Sequence, residues 1–281
     1  VKAALLMLVL ALAGCSLRDR QALGPELAAA AGWRWQSLAA GPFDLAVALR
    51  PSTGGDTLTV YIEGDGLAYL SPTERAMDPT PTDPLALRLA LAHPGNGPVA
   101  YLARPCQYRA VASGRNCRSD YWTVARYAPE VVDSAGIALD QLKARLGSAT
   151  RLILVGYSGG GAMAALLAER RNDVVGLVTV AANLDLEQWV HANGLTPLRG
   201  SLDPAADAGR LATLPQIHFV GAQDRMVDGR VASAFLSHQA AGARASIVEI
   251  EGQDHACCWA TAWPALSHRL DLTRLPGWIE G

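Results

Sequence analysis

From Phe43 onward, short runs of β-branched or apolar residues alternate with longer stretches in which apolar positions recur at helical spacing. This alternation predicts an α/β fold: a mostly parallel central sheet with helices on both faces. Strands are expected over Phe43 to Leu49, Thr57 to Ile62, Val99 to Ala103, Arg151 to Val155, Val174 to Val180, Ile217 to Val220 and Ala245 to Ile250. Four of these are nearly continuous apolar runs, as strands buried on both faces must be. Asp83 and Pro84 offer an N-cap followed by proline at the first helical position, opening a helix through Ala92. Further helices are expected over Pro129 to Leu146, from just after Tyr157 through Ala168, near Gly229 to Ala241, and over Trp259 to Leu270. Gly147 stops the first of these, and Pro264 bends or interrupts the last.

The chain before Phe43 follows a different pattern. Lys2 gives a positive start, Ala3 to Leu12 is wholly apolar, and Leu12-Ala13-Gly14-Cys15 follows. The apolar run is shorter than the roughly 20 residues a membrane-spanning helix needs. The segment resembles a bacterial lipoprotein signal, in which the small residues fit the signal peptidase and the acylated cysteine becomes the new N-terminus. The resemblance implies a lipid anchor at Cys15 and a place in the cell envelope. Ser16 in the second mature position is similar to that of lipoproteins sent to an outer membrane, where the cell has one. A secretory signal cut elsewhere or a buried N-terminal helix is the alternative. Residues 16–40, alanine-rich with scattered charges, are expected to form a tether and a short helix, leaving 41–281 as one folded domain.

Composition narrows the function. Half of the 281 residues are apolar, 18% are charged and the net charge is −2, so a large core is available and no basic footprint invites nucleic acid. No Cys or His spacing fits a zinc site, so neither a metal nor another cofactor is expected. The oligomeric state stays open.

The chemistry is concentrated in Arg151-Leu152-Ile153-Leu154-Val155-Gly156-Tyr157-Ser158-Gly159-Gly160-Gly161, a G-x-S-x-G motif between a strand and a helix. A sharp turn there lifts the Ser158 hydroxyl to the carboxyl end of the sheet, and Gly156 and Gly160 leave room for neighbouring backbone. The helix N-terminus offers free N–H groups where negative charge develops, with Gly159 as the first donor. An ordinary tight strand-helix junction would carry the same glycines.

This arrangement is similar to the nucleophile elbow of the α/β hydrolases, whose triad runs Ser, acid, His along the chain. The resemblance spans about Phe43 to the C-terminus. It implies Ser158 as nucleophile, an acid after the strand ending at Val220 and a histidine after the strand ending at Ile250. Asp224 and His255 occupy those places. Asp185, just past the strand ending at Val180, is the alternative acid, because some relatives carry it there. Asp254 is expected to point away from the site and Asp228 to be solvated. Glu63-Gly64-Asp65-Gly66 looks like the family's oxyanion loop with Glu63 in place of histidine, and Asp65 N–H is the expected second donor, its side chain turned away.

In an oxidising compartment Cys106, Cys117, Cys257 and Cys258 allow three pairings. Cys106 with Cys117 is the simplest, closing a short ring that contributes about 2 to 3 kcal/mol. Cys257 and Cys258 would form either a vicinal disulfide or two thiols. Tyr121, Trp122, Trp189, Trp259 and Trp263 are expected in the core more than in a pocket. The stretch from Asp185 to Pro215 is long for a plain connection and suggests a small cap. The function these features imply is cleavage of a carboxylic ester or related acyl bond in a small-molecule acyl substrate. A thioesterase or peptidase would use the same residues, and a surface-anchored binding lipoprotein without turnover is the reading from another class.

Overall fold

The structure, a computed structural model, describes residues 20–51, 54–108, 114–147 and 150–279. The lipoprotein-like segment, with Cys15 and Ser16, lies outside the described residues. A helix over residues 20–30 (α1) precedes β1 (Arg34–Ala40) and β2 (Phe43–Leu49). Then come β3 (Thr57–Ile62), a small hairpin of β4 (Tyr69–Ser71) and β5 (Glu74–Arg75), α2 (Leu85–Leu91), β6 (Val99–Leu102) and α3 (Pro129–Leu146). The second half runs β7 (Arg151–Tyr157), α4 (Gly159–Ala168), β8 (Val174–Val180), α5 (Leu186–Asn193), β9 (Gln216–Gly221), α6 (Gly229–Ser237), β10 (Ala245–Ile250), α7 (Trp259–Leu266) and α8 (Leu270–Thr273).

Eight strands form one sheet in the order β1-β2-β6-β3-β7-β8-β9-β10. The first two pairings are antiparallel and those from β6 to β10 are parallel. Because side chains alternate across a strand, β7 feeds both layers of the core. Leu152 and Leu154 pack with α3, α4 and α6, whereas Ile153 and Val155 pack with α2 and α7. This is the α/β-hydrolase fold, and it sets the carboxyl ends of β3, β7, β9 and β10 along one edge of the sheet.

The predicted strands recur within two residues at each end. The structure departs from the sequence reading in residues 34–40. They form the edge strand β1, with Leu38 and Ala40 buried, and so belong to the folded domain that was expected to begin at residue 41. Pro84, and not Asp83, holds the cap position of α2 and makes no side-chain cap; Asp83 instead pairs with Arg88. Pro264 lies inside α7, which ends at Leu266, and α8 follows as a separate turn. The stretch after Asp185 forms α5 and a 3₁₀ helix at Pro204–Leu211, and Trp189 packs there on Val227 and Val231. Tyr121, Trp122, Trp189, Trp259 and Trp263 are all buried.

Candidate active site

Ser158 sits between β7 and α4 with φ +52° and ψ −123°, a left-handed backbone that non-glycine residues seldom adopt. Its neighbours explain how the turn closes. A Cβ at Gly156 would fall 2.2 Å from Gly160 O, and one at Gly160 would fall 2.1 Å from Ile62 O, so both positions exclude any side chain. The backbone is pinned on either side by Ser158 N donating to Val180 O at 2.9 Å and Gly161 N donating to Ser158 O at 2.9 Å.

Three residues from the ends of β7, β9 and β10 meet here. Ser158 Oγ lies 3.0 Å from His255 Nε2, and His255 Nδ1 lies 2.9 Å from Asp224 Oδ2. An ionised carboxylate only accepts, so Nδ1 carries the ring proton and Nε2 is left to accept from the serine hydroxyl. The other oxygen of Asp224 accepts from Met226 N and Val227 N, both at 2.8 Å, which fixes the carboxylate before it meets the ring. The Asp224 side chain is fully buried while that of His255 is 26% exposed, so the imidazole faces solvent and the carboxylate does not.

The histidine loop is held by its surroundings. Tyr157 OH donates to His255 O at 2.9 Å, Gln223 N donates to Gln253 O at 2.9 Å, and Trp259 Nε1 donates to Asp254 O at 2.9 Å. Asp254 turns away from the serine and accepts from Ala256 N and Cys257 N. Cys257 and Cys258 are disulfide-bonded to each other, and Cys106 is bonded to Cys117.

Asp185 has other partners. It caps α5 by accepting from Gln188 N at 2.8 Å and lies 3.3 Å from His238 Nε2. The two candidate acids are therefore separated by their contacts, and Asp224 is the one bonded to His255. Asp228, expected to be solvated, caps α6 and pairs with the exposed Arg230.

The loop after β3 lies against the elbow: a Cβ at Gly64 would come 3.4 Å from Ser158 Cβ. Gly159 N opens α4, and neither it nor Asp65 N has a partner among the described residues. Glu63, the residue standing where the family's histidine was expected, turns from the serine to the start of α2, accepting from Gly64 N at 3.0 Å and Ala86 N at 3.3 Å. Burial pushes its carboxyl up to about 7, against the pull of those N–H groups.

The Asp65 side chain, expected simply to turn away, packs on the Gly159 backbone, where an added Cβ would fall 2.2 Å from its Oδ1. Its oxygens are taken by Arg104 Nη1 at 3.1 Å and Arg126 Nη1 at 2.6 Å, with Tyr127 OH 3.3 Å away. Burial opposes the charge, but the two guanidinium groups hold this carboxyl below the usual carboxylate range. Sequence reasoning missed Arg104, Arg126 and Gln107, because each meets this loop from about 40 to 60 residues away and no local pattern marks them. Among the described residues no group of three or more His, Cys, Asp or Glu side chains is placed to hold a metal ion.

The arrangement puts a polarised hydroxyl, an oriented imidazole and free backbone donors within one corner of an α/β-hydrolase fold. Solved structures share that architecture at low identity. An esterase from Pyrococcus furiosus is 10% identical with a TM-score of 0.60, over 88% of this chain and 92% of its own. A serine hydrolase without a lid from Xanthomonas campestris is 16% identical with a TM-score of 0.55, over 87% of this chain and 95% of its own. A puromycin hydrolase is 20% identical with a TM-score of 0.56; the match covers 84% of this chain but only 38% of that larger protein. No family model and no curated protein sequence matches the chain.

Proposed function

We propose that this chain is a serine hydrolase cleaving a carboxylic ester, or a closely related acyl bond, of a small-molecule substrate. The observation that carries the reading is the unbroken hydrogen-bonded run from Asp224 through His255 to Ser158. In the first step Ser158 Oγ attacks the acyl carbon as His255 Nε2 takes its proton, and Asp224 stabilises the imidazolium that results. Gly159 N–H and Asp65 N–H receive the carbonyl oxygen as it becomes an oxyanion. Collapse expels the leaving group, which takes the proton from His255 and leaves an acyl-Ser158 ester. Water, deprotonated by the same histidine, then releases the acid and restores the serine. The shared fold of the esterase and serine hydrolase above supports hydrolysis as the reaction type. A fluorophosphonate probe tests the reading, since it labels only an activated serine: stoichiometric labelling at Ser158 is expected. An unlabelled chain would mean a binding protein. Esters of rising acyl length then define the acyl group.

The reading includes an anchor. Lys2, the apolar run to Leu12 and the small residues before Cys15 support a lipid on that cysteine, holding the enzyme at a bacterial cell envelope. Cys15→Ala is expected to move the protein from the membrane fraction to the soluble one. A variant that still sediments with membranes after a high-salt wash would rule the lipid out.

A further inference from the structure

The turn after β6, Arg104-Pro105-Cys106-Gln107, is buried beside the oxyanion loop and tied down by the Cys106–Cys117 disulfide. Its two polar side chains both end on that loop. Gln107 Nε2 donates to Gly64 O at 2.9 Å, while Gln107 Oε1 accepts from Arg104 N at 3.0 Å, so the amide can sit only one way round. In a trans peptide the carbonyl and the following N–H point in opposite directions. A grip on Gly64 O therefore fixes the direction of Asp65 N–H. Gly66 adds to this: with φ +68° and its ideal Cβ 2.8 Å from Gln107 Nε2, the loop accepts no side chain at the place where the amide enters.

Arg104 acts on the other coordinate, the spacing between donors. One nitrogen, Nη1, lies 3.1 Å from Asp65 Oδ1 and 3.2 Å from Gly159 O, and Nη2 donates to Arg126 O. A single buried guanidinium thus bridges the residue that carries one donor to the residue that carries the other. Arg126 takes the second oxygen of Asp65, so the loop is held from two sides. Only a planar fork can make these contacts together, because an ammonium is a point charge on a flexible stem.

We propose that Gln107 and Arg104 are positioning residues of the oxyanion site, Gln107 setting the plane of the Gly64–Asp65 peptide and Arg104 its distance from Gly159. The proposal rests on Ser158 being an acyl-transfer nucleophile. Losing an oxyanion donor outright slows turnover by roughly 10²- to 10³-fold, so a misaimed donor should cost somewhat less.

Two variants of the full chain test it. Gln107→Met keeps length and volume but cannot donate, and Arg104→Lys keeps the charge on Asp65 but loses the fork. For each, kcat and KM on one ester, the rate of fluorophosphonate labelling and the melting temperature are measured, with rates taken well below melting. The expected result is a fall in kcat of about 10- to 100-fold, a parallel fall in labelling rate, KM within about twofold, and an unchanged midpoint in the pH–rate profile. Wild-type kcat in both variants, or a rise in KM at constant kcat, would overturn the proposal. So would a loss of activity that follows the loss of folded protein. Failure of the underlying acyl-hydrolase reading looks different: the wild-type chain itself would not label.

Discussion

Ser158→Ala is expected to remove turnover altogether, by a factor on the order of 10⁴ to 10⁶, while leaving the fold in place. The chemistry is all-or-none, because no other hydroxyl shares the 3.0 Å contact with His255 Nε2 among the described residues. The structural cost is small. Among the described residues the Ser158 side chain makes its hydrogen bond only to His255, and the bonds that shape the elbow are made by its backbone N and O. Alanine also brings no atom beyond the Cβ already accommodated at φ +52°. Initial rates on an acyl ester, set beside the melting temperature and far-ultraviolet circular dichroism, check both halves. A variant within tenfold of wild-type activity would remove Ser158 from its role.

Asp224→Asn is expected to lower kcat by roughly 10³- to 10⁴-fold. The amide keeps the shape of the carboxylate but can turn an N–H toward His255 Nδ1. The ring would then carry its proton on Nε2, facing Ser158, in the form that cannot accept the serine proton. The charge that steadies the imidazolium is lost as well. Met226 N and Val227 N can still bond to the remaining carbonyl oxygen, so the loop keeps its course. Asp185→Asn is the matched control. Asp185 serves as the N-cap of α5, and asparagine caps a helix about as well as aspartate, so little change in rate is expected. If Asp185→Asn were the crippled variant and Asp224→Asn nearly normal, the acid would have to be reassigned.

The central sheet was legible because its strands are buried on both faces and spell out as apolar runs, as in Leu152-Ile153-Leu154-Val155. The elbow was legible because sterics leave so little choice at Gly156 and Gly160. The edge was not. In β1 the alternation of exposed and buried positions is clean only from Ser37 to Ala40, and an alanine-rich approach hides it. Strand order and the resemblance together pointed to Ser158, Asp224 and His255, since each follows a parallel strand. Strand order already favoured Asp224 over Asp185, and the contacts then separate them: one meets a histidine ring and the other a helix start. The support behind the loop from Glu63 to Gly66 was not legible, because it comes from residues distant along the chain. Arg104 and Gln107 sit in a turn whose sequence reads as punctuation, and their meaning lies in Gly64, Asp65 and Gly159, which the fold brings to them.

The sheet order divides the site between unequal supports. Ser158 is borne by β7, which has a parallel neighbour on each side and is buried along its length except at its two end residues. His255 is borne by β10, which among the described residues pairs only with β9 and has half of its residues exposed. Fraying begins where contacts are fewest, at free edges, and costs far less than global unfolding. An opening confined to β10 would carry the His255 ring away from a Ser158 hydroxyl that stays where it is. The contact between Ser158 and His255 is thus only as durable as the outermost strand, and the proposed activity can be lost while the interior of the protein stays intact.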